Sequence, residues 1–144
     1  MPEVKDSIEV DVPVEKFFEV ITDFENYPEF LPECKACSIE DDQGNTKIVN
    51  QTLMVMKKIN LKLKMELDPP KNLSWSLIKG DMMKENSGYW KLEDLDGKRT
   101  KATYGLEVKL KGLIPSGIVN SLIKSGFPAM LNNFKQRAEK LYKD

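Results

Sequence analysis

Cys34 and Cys37, with Lys35 and Ala36 between them, have the C-x-x-C spacing of redox and zinc sites. Redox pairs sit at helix N-termini, where the dipole lowers a thiol pKa, and this pair opens a stretch with strand character. Structural zinc takes four ligands, and the chain has only these two cysteines and no histidine. The motif therefore reads as two incidental thiols. The missing histidine also removes Ser-His-Asp and Cys-His nucleophile pairs. Any general acid or base must come from Asp, Glu, Lys, Tyr or Cys.

The polar residues best placed to meet a ligand are Tyr27, Asn50, Thr52 and Tyr104. The segment Thr46–Met56 is ambiguous in phase: Asn50 and Thr52 share the phase of Ile48 and Met54, which would carry them into a cavity if that phase faces inward. With Tyr104 they could orient a carbonyl group. They make a poor proton-transfer set, since an ordinary tyrosine titrates near pH 10. No paired carboxylates fall on an apolar face, so no catalytic residue is assigned and no cofactor or metal is implied.

These residues lie on elements that the apolar pattern marks out. Val4, Ile8, Val10 and Val12 form a first strand. Pro13 starts a helix carrying Phe17, Phe18, Val20 and Ile21, and Asp23 is a candidate cap for a second short helix over Glu25–Phe30. Pro28 and Pro32 keep that helix short. Six strands follow: Cys34–Asp42, Thr46–Met56, Ile59–Leu67, Leu73–Leu77, Met82–Leu92 and Thr100–Leu110. Asp42-Gln43-Gly44-Asn45, Asp68-Pro69-Pro70-Lys71-Asn72 and Asp94–Lys98 supply turns. The clearest strand alternates Ile59, Leu61, Leu63, Met65 and Leu67 with Asn60, Lys62, Lys64 and Glu66. From Ser116 to Tyr142 the apolar residues recur at helical spacing, with a kink or break expected near Gly126 because Pro128 falls inside the pattern.

The order β-α-α-β6-α predicts an α+β architecture: a curved antiparallel meander closed over one long C-terminal helix. A strongly twisted sheet cannot lie flush on one helix, and the gap is a candidate ligand cavity. Strand phase and helix face nominate Met65, Trp75, Trp90, Tyr104, Phe127 and Met130 for its lining. Tyr27 and Phe30, within Tyr27–Pro32, are candidates for its entrance. Met54, Met56, Met65, Met82, Met83 and Met130 suggest an adaptable interior suited to a flexible apolar ligand.

Basic and acidic residues number 22 and 23, a net charge of −1, so no bulk attraction to nucleic acid or anionic membrane is expected. Lys62, Lys64, Lys101 and Lys109 could form an outer patch, but they read as a solvated strand face. Leu113–Val119 reads as a loop into the helix in preference to a mobile lid or membrane-dipping surface. No stretch reaches the ~20 apolar residues of a membrane span. The start, Met1–Pro13, lacks the features of an export signal, and two cysteines point to a reducing cytoplasm. Residues 1–144 are expected to form a single domain.

Val12-Pro13-Val14-Glu15-Lys16-Phe17-Phe18, followed by Asp23-Phe24-Glu25-Asn26-Tyr27-Pro28-Glu29-Phe30-Leu31-Pro32, resembles the START-like (SRPBCC, Bet-v-like) superfamily. More narrowly it resembles the polyketide cyclase/dehydrase and coenzyme-Q-binding branch, which includes the ribosome association toxin. Gly88-x-Trp90-x-Leu92, Thr103-Tyr104-x-Leu106 and the ending Phe134-Lys135-x-Arg137-Ala138-Glu139 extend the likeness along the chain. The resemblance implies the helix-grip fold and a cavity for a lipid, isoprenoid quinone or polyketide-like molecule. A non-catalytic binder or carrier is the leading expectation. A cyclase/dehydrase-type enzyme and a ribosome- or protein-binding module are the alternatives, and a transient membrane contact stays open.

Overall fold

The computed structural model describes residues 3–55, 57–112 and 126–142. Its elements run β1 (Glu3–Val10), α1 (Val14–Ile21), a 3-10 turn (Phe24–Asn26), α2 (Tyr27–Phe30), β2 (Cys34–Asp42), β3 (Thr46–Val55), β4 (Lys57–Asp68), β5 (Asn72–Gly80), β6 (Met83–Asp94), β7 (Thr100–Leu110) and α3 (Phe127–Tyr142). The seven strands form one sheet in the order β1-β7-β6-β5-β4-β3-β2, every pairing antiparallel. The fold is the curved antiparallel sheet closed over a C-terminal helix that the element order implied, and so the helix grip that the resemblance implied.

Local chemistry sets these boundaries. Gly44 and Gly97 take φ of 84° and 80° in the β2–β3 and β6–β7 turns, a region that costs glycine nothing. Asp42 and Asp94 accept backbone N–H bonds within those turns, from Gly44 at 2.9 Å and from Gly97 at 2.6 Å. Pro13 precedes α1, whose inner face buries Val14, Phe17, Phe18, Val20 and Ile21. Asp23 does not cap through its side chain. Its carboxylate instead accepts a bond from the Asn26 amide at 2.8 Å.

Pro128 is the second residue of α3 as described. The part of the expected helix before Gly126, on which the expected kink or break depends, and the candidate lid Leu113–Val119, lie outside the described residues. No helix among the described residues is long and apolar enough to cross a membrane.

How α3 packs explains the cavity. It buries Phe127, Leu131, Phe134 and Ala138 along one stripe, and its backbone lies against α1, α2 and β1. The sheet curls away from it toward β3, β4 and β5. Side chains, not backbone, must bridge that gap, and they fill it only in part.

Candidate functional site

An aromatic chain forms the closed end of the interior. Phe17 meets Trp90 edge-on at 5.5 Å, Trp90 meets Phe134 at 5.2 Å, and Phe134 meets Tyr27 at 5.4 Å. Edge-to-face pairs of this kind contribute about 0.5–1.5 kcal/mol each beyond burial. They tie α1, α2 and α3 to β6 and fix the rings that face the open space. Trp90 also contacts Tyr104 at 4.9 Å, and Tyr104 contacts Trp75 at 5.3 Å and Phe127 at 5.1 Å.

Beyond these rings lies a cavity of about 290 Å³. Leu61, Leu63 and Met65 of β4 form its floor, Trp75 of β5, Trp90 of β6 and Tyr104 of β7 one wall, and Phe127, Met130 and Phe134 of α3 its roof. Leu53, Met83, Val108 and Gly126 also line it. These sit at the end of β3, the start of β6, the end of β7 and the start of α3. The cavity therefore runs toward the end of the sheet where the β3–β4 and β5–β6 turns lie.

Polar groups on the wall are few. Trp75 Nε1–H donates to Asn86 Oδ1 at 3.2 Å, and the Asn86 amide reaches the Met83 sulfur at 3.6 Å, so this pair is mutually engaged. Tyr27 donates its hydroxyl to the Ile21 carbonyl oxygen. Tyr104 differs. It is 7% exposed, and no hydrogen bond is formed by its hydroxyl among the described residues. The oxygen is not sealed off either. It is a free donor on a cavity wall. Burial pushes the Tyr104 pKa above its usual value, and burial followed by the nearby Cys37 thiol does the same for Tyr27. Both phenols stay protonated at neutral pH. Glu33 and Gln51 also reach the lining, toward the β3 side.

Seven of the ten nominated residues meet around this space: Tyr27, Met65, Trp75, Trp90, Tyr104, Phe127 and Met130. Phe30 does not. Its ring packs against Tyr27 and Phe134 and under the Arg137 guanidinium, 5.2 Å from the ring centroid. Asn50 and Thr52 are corrections. Asn50 donates to Glu40 at 3.1 Å and Thr52 to Asn60 at 2.9 Å, both on the exposed face. The inward phase of β3 is Val49, Gln51 and Leu53, and Met54 is 44% exposed. Thr100 is fully buried and donates to the Val12 carbonyl at 2.9 Å, a structural bond.

The two cysteines are free and buried. In a regular strand residues three apart face opposite sides. A register shift between Cys34 and Ala36 turns both thiols to the same side. The Cys34 thiol lies 3.5 Å from the Ala36 carbonyl oxygen, to which it donates; the neighbouring Cys37 thiol lowers the Cys34 pKa, and the Cys34 thiol with burial raises that of Cys37. Cys34 lines the cavity and Cys37 does not. No group of three metal-ligating side chains occurs among the described residues.

Residues 10–135 match the sequence pattern of the family described as polyketide cyclase / dehydrase and lipid transport. The chain belongs to this family. Among curated proteins it is similar to the ribosome association toxin RatA of Pseudomonas aeruginosa, 26% identical over 133 residues and 90% of each chain. RatA of Vibrio cholerae is 24% identical over 143 residues, 99% of each. Among solved structures, a START superfamily protein from Mycobacterium smegmatis superposes with a TM-score of 0.85 at 21% identity, over 96% of this chain and 98% of its own. The Zhui aromatase/cyclase from a Streptomyces species superposes with a TM-score of 0.86 at 17% identity, over 96% and 94%. At these identities the structures share the fold alone.

Proposed function

We propose that the protein is a non-catalytic binder or carrier of a small hydrophobic molecule, held in the cavity beneath α3 with a carbonyl or similar acceptor against Tyr104. The observation that carries this reading is the Tyr104 hydroxyl, which has no protein partner among the described residues and lies on a largely apolar wall. A ligand acceptor that displaces water from this wall gives the donor a partner in its place. The residues proposed to contact the ligand are Tyr27, Met65, Trp75, Trp90, Tyr104, Phe127 and Met130.

The volume suits a compact ligand. At about 30 Å³ per water, 290 Å³ corresponds to roughly ten waters. That favours the ring of a quinone or polyketide-like molecule, or a short acyl segment, over a whole phospholipid. The family description names both cyclase/dehydrase and lipid transport. Catalysis is the weaker reading, because both cavity tyrosines are held protonated, the Trp75–Asn86 pair is engaged, and Glu33 is the one carboxylate among the described lining residues. A reducing cytoplasm fits the two free thiols.

The similarity to RatA proteins supports a second reading, a ribosome- or protein-binding module. The outer-face lysines considered for it are partly neutralised: Lys62 pairs with Glu40 at 3.0 Å and Lys64 with Glu66 at 3.5 Å.

Native mass spectrometry of the purified protein, followed by organic extraction, separates these readings. A stoichiometric lipid, quinone or polyketide supports the carrier. A protein that arrives empty, refuses naphthoquinone and a medium-chain fatty acid, and co-sediments with ribosomes supports the module.

A further inference from the structure

Four lysines from four strands or their ends, Lys58, Lys79, Lys84 and Lys111, ring one surface hollow of about 790 Å³. Strand register brings them together at the β5–β6 turn. Asp81 N–H of that turn donates to the Asn60 carbonyl on β4 at 3.0 Å, and Lys111 N–H after β7 donates to the Met82 carbonyl at 2.8 Å. All four side chains are exposed, and none enters a salt bridge among the described residues. The one acid lining the hollow, Asp81, accepts the Asn60 N–H at 2.9 Å. Glu85, just outside, faces Lys109 across the β6–β7 pairing. A chain with a net charge of −1 thus gathers positive charge at one end of its sheet.

Two further observations specify the partner. Large apolar side chains stand exposed among these lysines: Ile78, 50% exposed, beside Lys79, and Met54, 44% exposed, opposite Lys58. Met83 belongs to both the hollow and the apolar cavity, so the charged rim adjoins the end toward which the cavity runs. Lysines around protruding aliphatic tips match the charge and depth profile of an anionic lipid surface. RNA recognition favours aromatic platforms and arginine forks, and the hollow is lined by neither.

We propose that this end of the sheet docks on an anionic bilayer, with Lys58, Lys79, Lys84 and Lys111 at the headgroups and Ile78 and Met54 dipping below them. The proposal extends the carrier reading, because docking there brings the cavity to the lipid phase from which an apolar ligand is drawn. Its test reads membrane binding and not ligand uptake, so either reading can fail alone.

The experiment is flotation of the full chain with vesicles of phosphatidylcholine, or of phosphatidylcholine mixed with phosphatidylglycerol. Binding is expected only to the mixed vesicles. It should weaken as salt shortens the Debye length from about 10 Å at 0.1 M to about 3 Å at 1 M. Lys79→Gln and Lys84→Gln should each cost about fivefold in partitioning. Ile78→Asp should also weaken it, while Lys101→Gln on the outer face leaves it unchanged. Circular dichroism verifies that each variant is folded. Equal binding to neutral vesicles, no loss in the lysine variants, or binding to polyribonucleotide that Lys79→Gln and Lys84→Gln abolish and Ile78→Asp spares would each overturn the proposal.

Discussion

Tyr27 and Tyr104 line the same cavity, yet only Tyr27 has its hydroxyl bonded, to the carbonyl of Ile21 at the end of α1. One phenol holds the N-terminal helices in place and the other is available to a ligand. Their phenylalanine variants should therefore separate stability from binding.

Tyr104→Phe removes a hydroxyl with no protein partner. Its thermal unfolding should stay within about 0.5 kcal/mol of wild type, as for substitutions that break no contact. Affinity for naphthoquinone should fall about two- to twelvefold, the worth of one hydrogen bond of about 0.5–1.5 kcal/mol. Isothermal titration of both proteins measures it.

Tyr27→Phe leaves the Ile21 carbonyl without its donor in a buried setting. A stability loss of about 1–3 kcal/mol follows, measured by urea unfolding, with naphthoquinone affinity nearly unchanged. An undiminished stability would mean that the Tyr27–Ile21 bond does not hold α1.

Alkaline pH should unfold the protein. Both buried tyrosines have folded-state pKa values above the usual value near 10, so the folded state keeps protons that the unfolded state releases. Their contribution is fully present below about pH 10 and is lost as pH rises beyond it toward the folded values. Phenolate absorbance from Tyr27 and Tyr104 should appear together with loss of ellipticity, not before it.

Gly88 has no room for a side chain. A Cβ there would lie 2.5 Å from the Gly105 carbonyl oxygen and 2.5 Å from the Trp75 ring. Gly88→Ala should cost about 1–3 kcal/mol, the range of overpacked sites, and should shift tryptophan emission as Trp75 moves.

Strict alternation made β4 legible in the sequence: all of Ile59, Leu61, Leu63 and Met65 are buried. The same signal placed Trp75, Trp90 and Tyr104 on one side of the sheet. It failed on β3, where adjacent Ile48 and Val49 allow two phases. Reading Ile48 and Met54 as inward carried Asn50 and Thr52 inside, whereas the sheet buries Val49 and turns Gln51 and Leu53 to the cavity. A one-residue change of phase moves every side chain to the other face. Phe30 packs behind Tyr27 and Phe134 and does not itself line the cavity, and a one-turn helix such as α2 has no periodicity to fix its face. The lysine ring was hidden for a different reason. Lys58, Lys79, Lys84 and Lys111 become neighbours only through the pairing of β4, β5, β6 and β7. Lys62, Lys64, Lys101 and Lys109, by contrast, each lie within a clear alternation and so stand out along the sequence.

The most direct test of ligand binding uses the chain's own reporters, since its two tryptophans, Trp75 and Trp90, both line the cavity. Fluorescence titration with naphthoquinone and with a medium-chain fatty acid should give a saturable, one-site change in the wild type. In Leu63→Phe, which fills the cavity floor, that change should disappear while the fold persists. A linear, unsaturable response in the wild type, or an identical saturable response in Leu63→Phe, would contradict a ligand held beneath α3.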